Sequence, residues 1–175
     1  MRRLMLLRHA KSDWSVSGQP DHERGLAPRG ETAAPLMGRY MANHGLIPDQ
    51  AIVSTAIRTR ETWRLAAEAF RQKPLTTYEQ RIYEAEPDAI LAAIREAPAA
   101  AKTLLVVGHN PGFHEMATLL VGSGDKRARA KLAAKFPTAA LAVIDFDIAN
   151  WPSIRPGAGR LDRLVTPRAI GGKDD

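Results

Sequence analysis

The chain contains no cysteine. That absence excludes disulfide staples, thiolate metal sites and every mechanism that begins with a cysteine nucleophile, including the cysteine-based phosphatases. Aromatic residues make up only 6% of the chain, and no zinc-finger spacing or aromatic RNA-binding signature accompanies its basic residues, so no nucleic-acid partner is expected. No apolar run approaches the roughly twenty residues of a membrane span. The first such run, Leu4 to Leu7, is closed by Arg8 and is too short for a signal-peptide core. The expectation is a cytoplasmic protein without a membrane partner, and the lack of cysteine fits a reducing compartment. Gly-x-Ser-x-Gly is missing, which leaves serine hydrolase chemistry without a foothold. Gly122-Ser123-Gly124-Asp125-Lys126 lacks the spacing of a nucleotide phosphate loop and reads as a helix stop. The five histidines show no paired-ligand spacing with carboxylates, so neither a metal nor another cofactor is expected.

What is present suits one ordinary domain. The 175 residues, 45% hydrophobic and 25% charged, predict a single unit over 1–170 followed by a frayed tail at 171–175. The formal charge of +6 fits two readings, a field that attracts anionic substrates or a solvated basic surface. Apolar strand-like runs alternate with amphipathic segments, the pattern of an α/β layer fold. Strands are predicted at Arg3 to Leu7, Gln50 to Ser54, Leu75 to Tyr78, Thr103 to Val107, Ala139 to Phe146 and Leu161 to Val165. Helices are predicted at Glu31 to His44, Arg60 to Phe70, Pro87 to Arg95 and Pro111 to Val121. Thr103 to Val107 is continuously apolar after its first residue and belongs at the centre of a parallel sheet.

Three of these strands end in unusual polar residues: Arg8-His9 after the first, Ser54 to Arg58 after the second, and His109-Asn110 after Val107. In open α/β sheets ligands bind beyond the carboxyl ends of the strands, so the three segments predict one shared pocket. Asn110 suits a helix N-cap and Pro111 the first helical position. The free N–H groups of that helix start would then favour an anion. Arg58 falls in the first turn of the helix capped by Ser54 or Thr55, where the helix dipole disfavours a cation. A bound anion would offset that cost; the alternative is an Arg58 that swings out into water or pairs with Glu61 or Glu84. Arg8 supplies a planar donor fork matched to phosphate oxygens. A neutral His9 can act as a nucleophile if its other ring nitrogen donates to a carbonyl.

Leu7-Arg8-His9-Ala10-Lys11-Ser12-Asp13-Trp14 resembles the Arg-His signature of the histidine phosphatase superfamily, and within it the SixA group of phosphohistidine phosphatases. Arg24-Gly25-Leu26-Ala27-Pro28-Arg29-Gly30 is similar to the group's Arg-x-Leu-Thr-x-x-Gly segment, with Ala27 in place of the usual Thr. The stretches Val53 to Thr62, Gly108 to Gly112 and Phe136 to Leu141 resemble later family segments in the same order. The resemblance implies a three-layer sandwich, a mainly parallel sheet with helices on both faces, as in phosphoglycerate mutase-like proteins. It implies His9 as the phosphorylated nucleophile, Arg8 and Arg58 on the phosphoryl oxygens, and His109 completing the pocket beside Asn110, with no metal. The proton donor stays open between Glu84, Asp13 and no acid at all. The substrate implied is a phosphohistidine-bearing protein. A small phosphate ester, a mutase reaction and a non-catalytic phosphate-binding module are the alternatives.

Overall fold

Along β1 (Arg2–Arg8) successive side chains alternate across a sheet, as strand geometry requires. Leu4 and Leu6 enter one core, while Met5 and Leu7 enter the other. The structure, a computed structural model, describes residues 1–172. The other strands are β2 (Gln50–Ser54), β3 (Leu75–Glu79), β4 (Thr103–Gly108), β5 (Val121–Gly124), β6 (Leu141–Phe146) and β7 (Gly159–Val165). They form one sheet in the order β3-β2-β4-β1-β6-β7-β5. Only β6 runs against its neighbours; β1 to β4 pair in parallel, as do β5 and β7.

Helices α1 (Pro28–Asn43) and α2 (Ile57–Ala67) cover one face through Met37, Met41, Trp63 and Ala66. Helices α3 (Pro87–Arg95), α4 (Gly112–Leu120) and α5 (Lys126–Ala134) cover the other through Ile90, Ile94, Phe113, Met116 and Leu132. The result is the expected three-layer α/β sandwich. Both faces of the central strands are buried, which accounts for their continuous apolar runs.

Two elements depart from the sequence reading. The turn at Gly122 to Lys126 is in fact edge strand β5 followed by α5, with the Asp125 carboxylate accepting the Ala128 N–H at 2.8 Å as N-cap. Helix α5 buries only Ala128 and Leu132 among its nine residues, so it carries almost no apolar stripe by which to recognise it. Helix α2 begins at Ile57 rather than Arg60, which places Arg58 as its second residue. On α4, Leu119 remains exposed. At the C-terminus, Gly171 has a φ of 100° and the Gly172 N–H donates to the Pro167 carbonyl at 2.7 Å. Residues 173–175 of the expected tail lie outside the described residues. No described helix is long and apolar enough to cross a membrane.

Candidate active site

Strands β2, β4 and β1 are consecutive neighbours and parallel, so their carboxyl ends lie side by side. Arg8 pairs with Gly108 across β1 and β4, and the His9 N–H donates to the Gly108 carbonyl at 3.0 Å. His9 and His109 therefore leave the sheet together, with ring centroids 5.4 Å apart. A side chain on Gly108 would strike the Phe113 ring at 2.5 Å. Glycine there lets the first turn of α4 close against the strand end.

His9 is buried, with 7% exposure, and its Nδ1 lies 2.8 Å from the Ala10 carbonyl. A carbonyl only accepts, so Nδ1 carries the proton and Nε2 keeps its lone pair. The backbone that sets this geometry is tied to α2. The Ala10 N–H donates to Thr62 Oγ1 at 2.9 Å, and the Thr62 hydroxyl donates to the Arg58 carbonyl at 2.7 Å. Arg8 Nη1 donates to the Phe136 carbonyl at 3.1 Å.

His109 is 2% exposed, and its Nε2 meets Ser54 Oγ at 2.7 Å. Ser54 Oγ also accepts the Ala56 N–H at 3.4 Å, which leaves the hydroxyl hydrogen available for Nε2. Nδ1 then carries the ring proton; it has no hydrogen-bond partner and lies 3.6 Å from Glu84 Oε1. Burial first, then the charges of His9, Arg58 and Arg8, push the His109 pKa down to about 2. The ring is a neutral donor at any ordinary pH.

Arg58 is 4% exposed and held between two carboxylates. Its Nη2 donates to Glu84 Oε1 at 2.6 Å and to Asp21 Oδ2 at 3.0 Å, while Nη1 donates to the Asp21 carbonyl at 2.9 Å. Of the two carboxylate partners that the sequence offered, it is Glu84 that pairs. Glu84 has a φ of 49°, a left-handed conformation that costs a non-glycine residue about 1 kcal/mol. Asp21 also accepts the Tyr83 hydroxyl at 2.5 Å. Burial pushes the Asp21 carboxyl up, but Tyr83 and Arg58 outweigh it and hold it below its ordinary range. The Tyr83 phenol is pushed up to about 12, by burial and then by its bond to Asp21.

These groups surround one cavity of about 460 Å³. Of the residues predicted from sequence, Arg8, His9, Arg58, Glu84 and Asn110 line it, and His109 lies directly behind. Asp13 does not line it. Its carboxylate accepts the Ser15 N–H at 2.8 Å, and hydrogen bonding from the Ser15 side chain first, then from that N–H, lowers its pKa. Asn110 is not the N-cap of α4, a place taken by Pro111. Its Oδ1 accepts the His114 N–H at 3.3 Å, and its Nδ2 donates to the Phe136 carbonyl at 2.8 Å. The Phe113 N–H goes to the His109 carbonyl at 2.9 Å, so these two N–H groups at the helix start are occupied rather than aimed at an anion. Nor do Ser54 and Thr55 cap α2. Ser54 holds His109, while Thr55 bonds Gln80 and lies 2.8 Å from His22 Nε2. His22 is accordingly half-buried, and the His114 ring turns to the Leu132 carbonyl. Asp21 and Trp14 are residues of this pocket to which the sequence reading assigned no role, and Ser54, read as a cap, instead holds His109. Trp14 stands in irregular chain and Asp21 opens a three-residue 3-10 turn (Asp21–Glu23), so no periodicity marks either. Among the described residues no cluster of three or more His, Asp and Glu could hold a metal ion.

Known proteins share this fold. A profile of the histidine phosphatase superfamily (branch 1) matches residues 4–86. An uncharacterised protein of Mycobacterium tuberculosis is 34% identical over 164 residues, covering 93% of this chain and all of the relative. The crystal structure of a candidate phosphohistidine phosphatase SixA from Agrobacterium tumefaciens is 30% identical. It superposes with a TM-score of 0.80 over 95% of this chain and 98% of its own. A second candidate SixA, from Nakamurella multipartitia, is 29% identical with a TM-score of 0.83, over 95% of this chain and 96% of its own.

Proposed function

The chain belongs to the histidine phosphatase superfamily, and from that premise we propose that it removes the phosphoryl group from phosphohistidine in a protein substrate. The phosphoryl oxygens lie against Arg8 and Arg58, with the Nδ1–H of His109 as a further donor. His9 Nε2 attacks phosphorus in line as the bond from phosphorus to the substrate imidazole breaks. Water then attacks the phosphohistidine on His9, releasing orthophosphate and restoring the free ring. Glu84, released from Arg58 as the phosphoryl group takes its place and protonated from solvent, donates that proton to the leaving imidazole and recovers one from the attacking water, so protons balance over the cycle. Phosphoryl transfer of this kind depends chiefly on positioning and charge stabilisation.

The observation that carries this reading is the contact between His9 Nδ1 and the Ala10 carbonyl at 2.8 Å. It fixes the tautomer in which Nε2 is a nucleophile, within a cavity that already gathers two guanidinium groups. The choice of phosphohistidine over an ester has its own support. Glu84 is engaged by Arg58 at 2.6 Å and must leave that contact to reach a leaving group. An imidazole leaves with less protonation than an alkoxide does. The relatives named SixA are phosphohistidine phosphatases by name, and the likeness to them runs over nearly the whole chain.

Incubation with phosphoramidate should give an acid-labile, alkali-stable label on His9. His9→Ala should lose both label and turnover while keeping the wild-type melting temperature within a few degrees. Turnover on a phosphohistidine protein should exceed that on a phosphoserine peptide. Unchanged turnover in His9→Ala would discard the mechanism, and faster hydrolysis of the ester would discard the substrate.

A further inference from the structure

The cavity has a lining residue, Trp14, that the reaction above does not use. Of its surface 66% is exposed. A singly exposed apolar side chain is ordinary on a protein surface, but this one lines the cavity that holds His9. It is also held in place. The indole Nε1–H donates to Ser12 Oγ at 3.0 Å, and the Arg24 guanidinium carbon lies 3.8 Å from the ring centroid. Arg24 is itself 8% exposed and donates to the Asp13 carbonyl at 3.3 Å and the Gln19 carbonyl at 3.4 Å. The supporting backbone is tied across the loop. Asp13 N–H donates to the Gly25 carbonyl at 2.8 Å, and Ser12 forms an antiparallel bridge with Leu26. One face of the indole is thus occupied by a buried cation, while the ring lines the cavity and stays largely exposed.

We propose that Trp14, braced by Arg24, is the subsite for the leaving group and selects planar aromatic leaving groups over aliphatic ones of the same bulk. This rests on the phosphatase reading, since it assigns the anion to Arg8, His9 and Arg58. A cavity of about 460 Å³ accommodates a phosphoryl group and a ring attached directly to phosphorus. A flat ring gains from offset or edge contact with indole, whereas a puckered ring of equal size gains only from burial. Trp14 binds the leaving group and carries out no chemistry.

Phenylphosphonate and cyclohexylphosphonate test this, because both present the same anion and neither is hydrolysed. By calorimetry the wild type should bind the phenyl compound about five- to ten-fold more tightly. Trp14→Ala should bring the two affinities within about two-fold, and Trp14→Phe should restore most of the preference. Orthophosphate affinity should stay unchanged in both variants. Equal affinities in the wild type, or a preference that survives Trp14→Ala, would overturn the proposal. So would a loss of orthophosphate affinity in step with the preference, because Trp14 would then be holding the pocket together. Loss of the phosphatase reading shows separately, as absent turnover on phosphohistidine while the phenyl preference persists.

Discussion

At His109 the same burial that keeps the ring neutral makes its one hydrogen bond with Ser54 count. The Ser54 hydroxyl at 2.7 Å fixes which ring nitrogen carries the proton. Ser54→Ala leaves a buried imidazole nitrogen without a partner, a loss of about 1–3 kcal/mol in stability. It also frees the tautomer to invert, so kcat should fall with little change in KM. Urea titration and steady-state kinetics on the one variant check both effects. The depressed pKa has a consequence for folding as well. Above the unfolded value near 6.5 the ring is neutral in both states and contributes no pH dependence. Below it the unfolded chain takes up a proton that the folded chain refuses until about pH 2. Stability therefore falls as pH drops from 6.5, with a slope from this residue of up to about 1.4 kcal/mol per unit. His109→Gln should flatten the decline between pH 6 and 4 by that amount in denaturant titrations.

The elements bring together what the chain holds far apart, and they do so by adjacency in the sheet. Because β2, β4 and β1 are parallel neighbours, their three ends converge without any long loop. The approach of α4 to the chain after Tyr83 is just as close. A Cβ on Gly112 would lie 2.1 Å from the Ala85 carbonyl and 3.1 Å from Ile90 Cδ1. Gly112→Ala should push the Glu84 segment away, destabilising the fold by roughly 1–3 kcal/mol and lowering kcat. A loss of stability with unaltered kcat would show that the Glu84 segment tolerates the shift. At this scale the sequence was informative in an uneven way. The strand ends could be read because buried parallel strands leave unbroken apolar runs, and a His or Arg after such a run stands out. The capping assignments at Ser54, Thr55 and Asn110 went astray because those side chains found tertiary partners that local spacing cannot reveal. Helix α5 escaped because its lysines and arginines face solvent and only two of its residues are buried. Asp21 and Trp14 become site residues only once the loop from Ser12 to Leu26 is folded across the strand ends.

Over the whole molecule, 25 lysines and arginines stand against 19 carboxylates, but around Arg58 the balance is set locally. Arg58 already holds Glu84 and Asp21, so an incoming oxyanion must compete with two carboxylates for one guanidinium. An anion that binds only the folded state raises its stability by about 2.7 kcal/mol at a hundred times its Kd. For a chain of this size that corresponds to a rise in melting temperature of roughly 5–10 °C. Orthophosphate or tungstate should produce it in the wild type, and Arg58→Met should abolish most of it. Glu84→Gln separates competition from support. With the negative charge gone, the anion meets less repulsion and a less engaged guanidinium, so the thermal shift at fixed phosphate should grow while turnover falls. If the shift shrinks instead, Glu84 serves chiefly to orient Arg58, and the proton must reach the leaving group from another source.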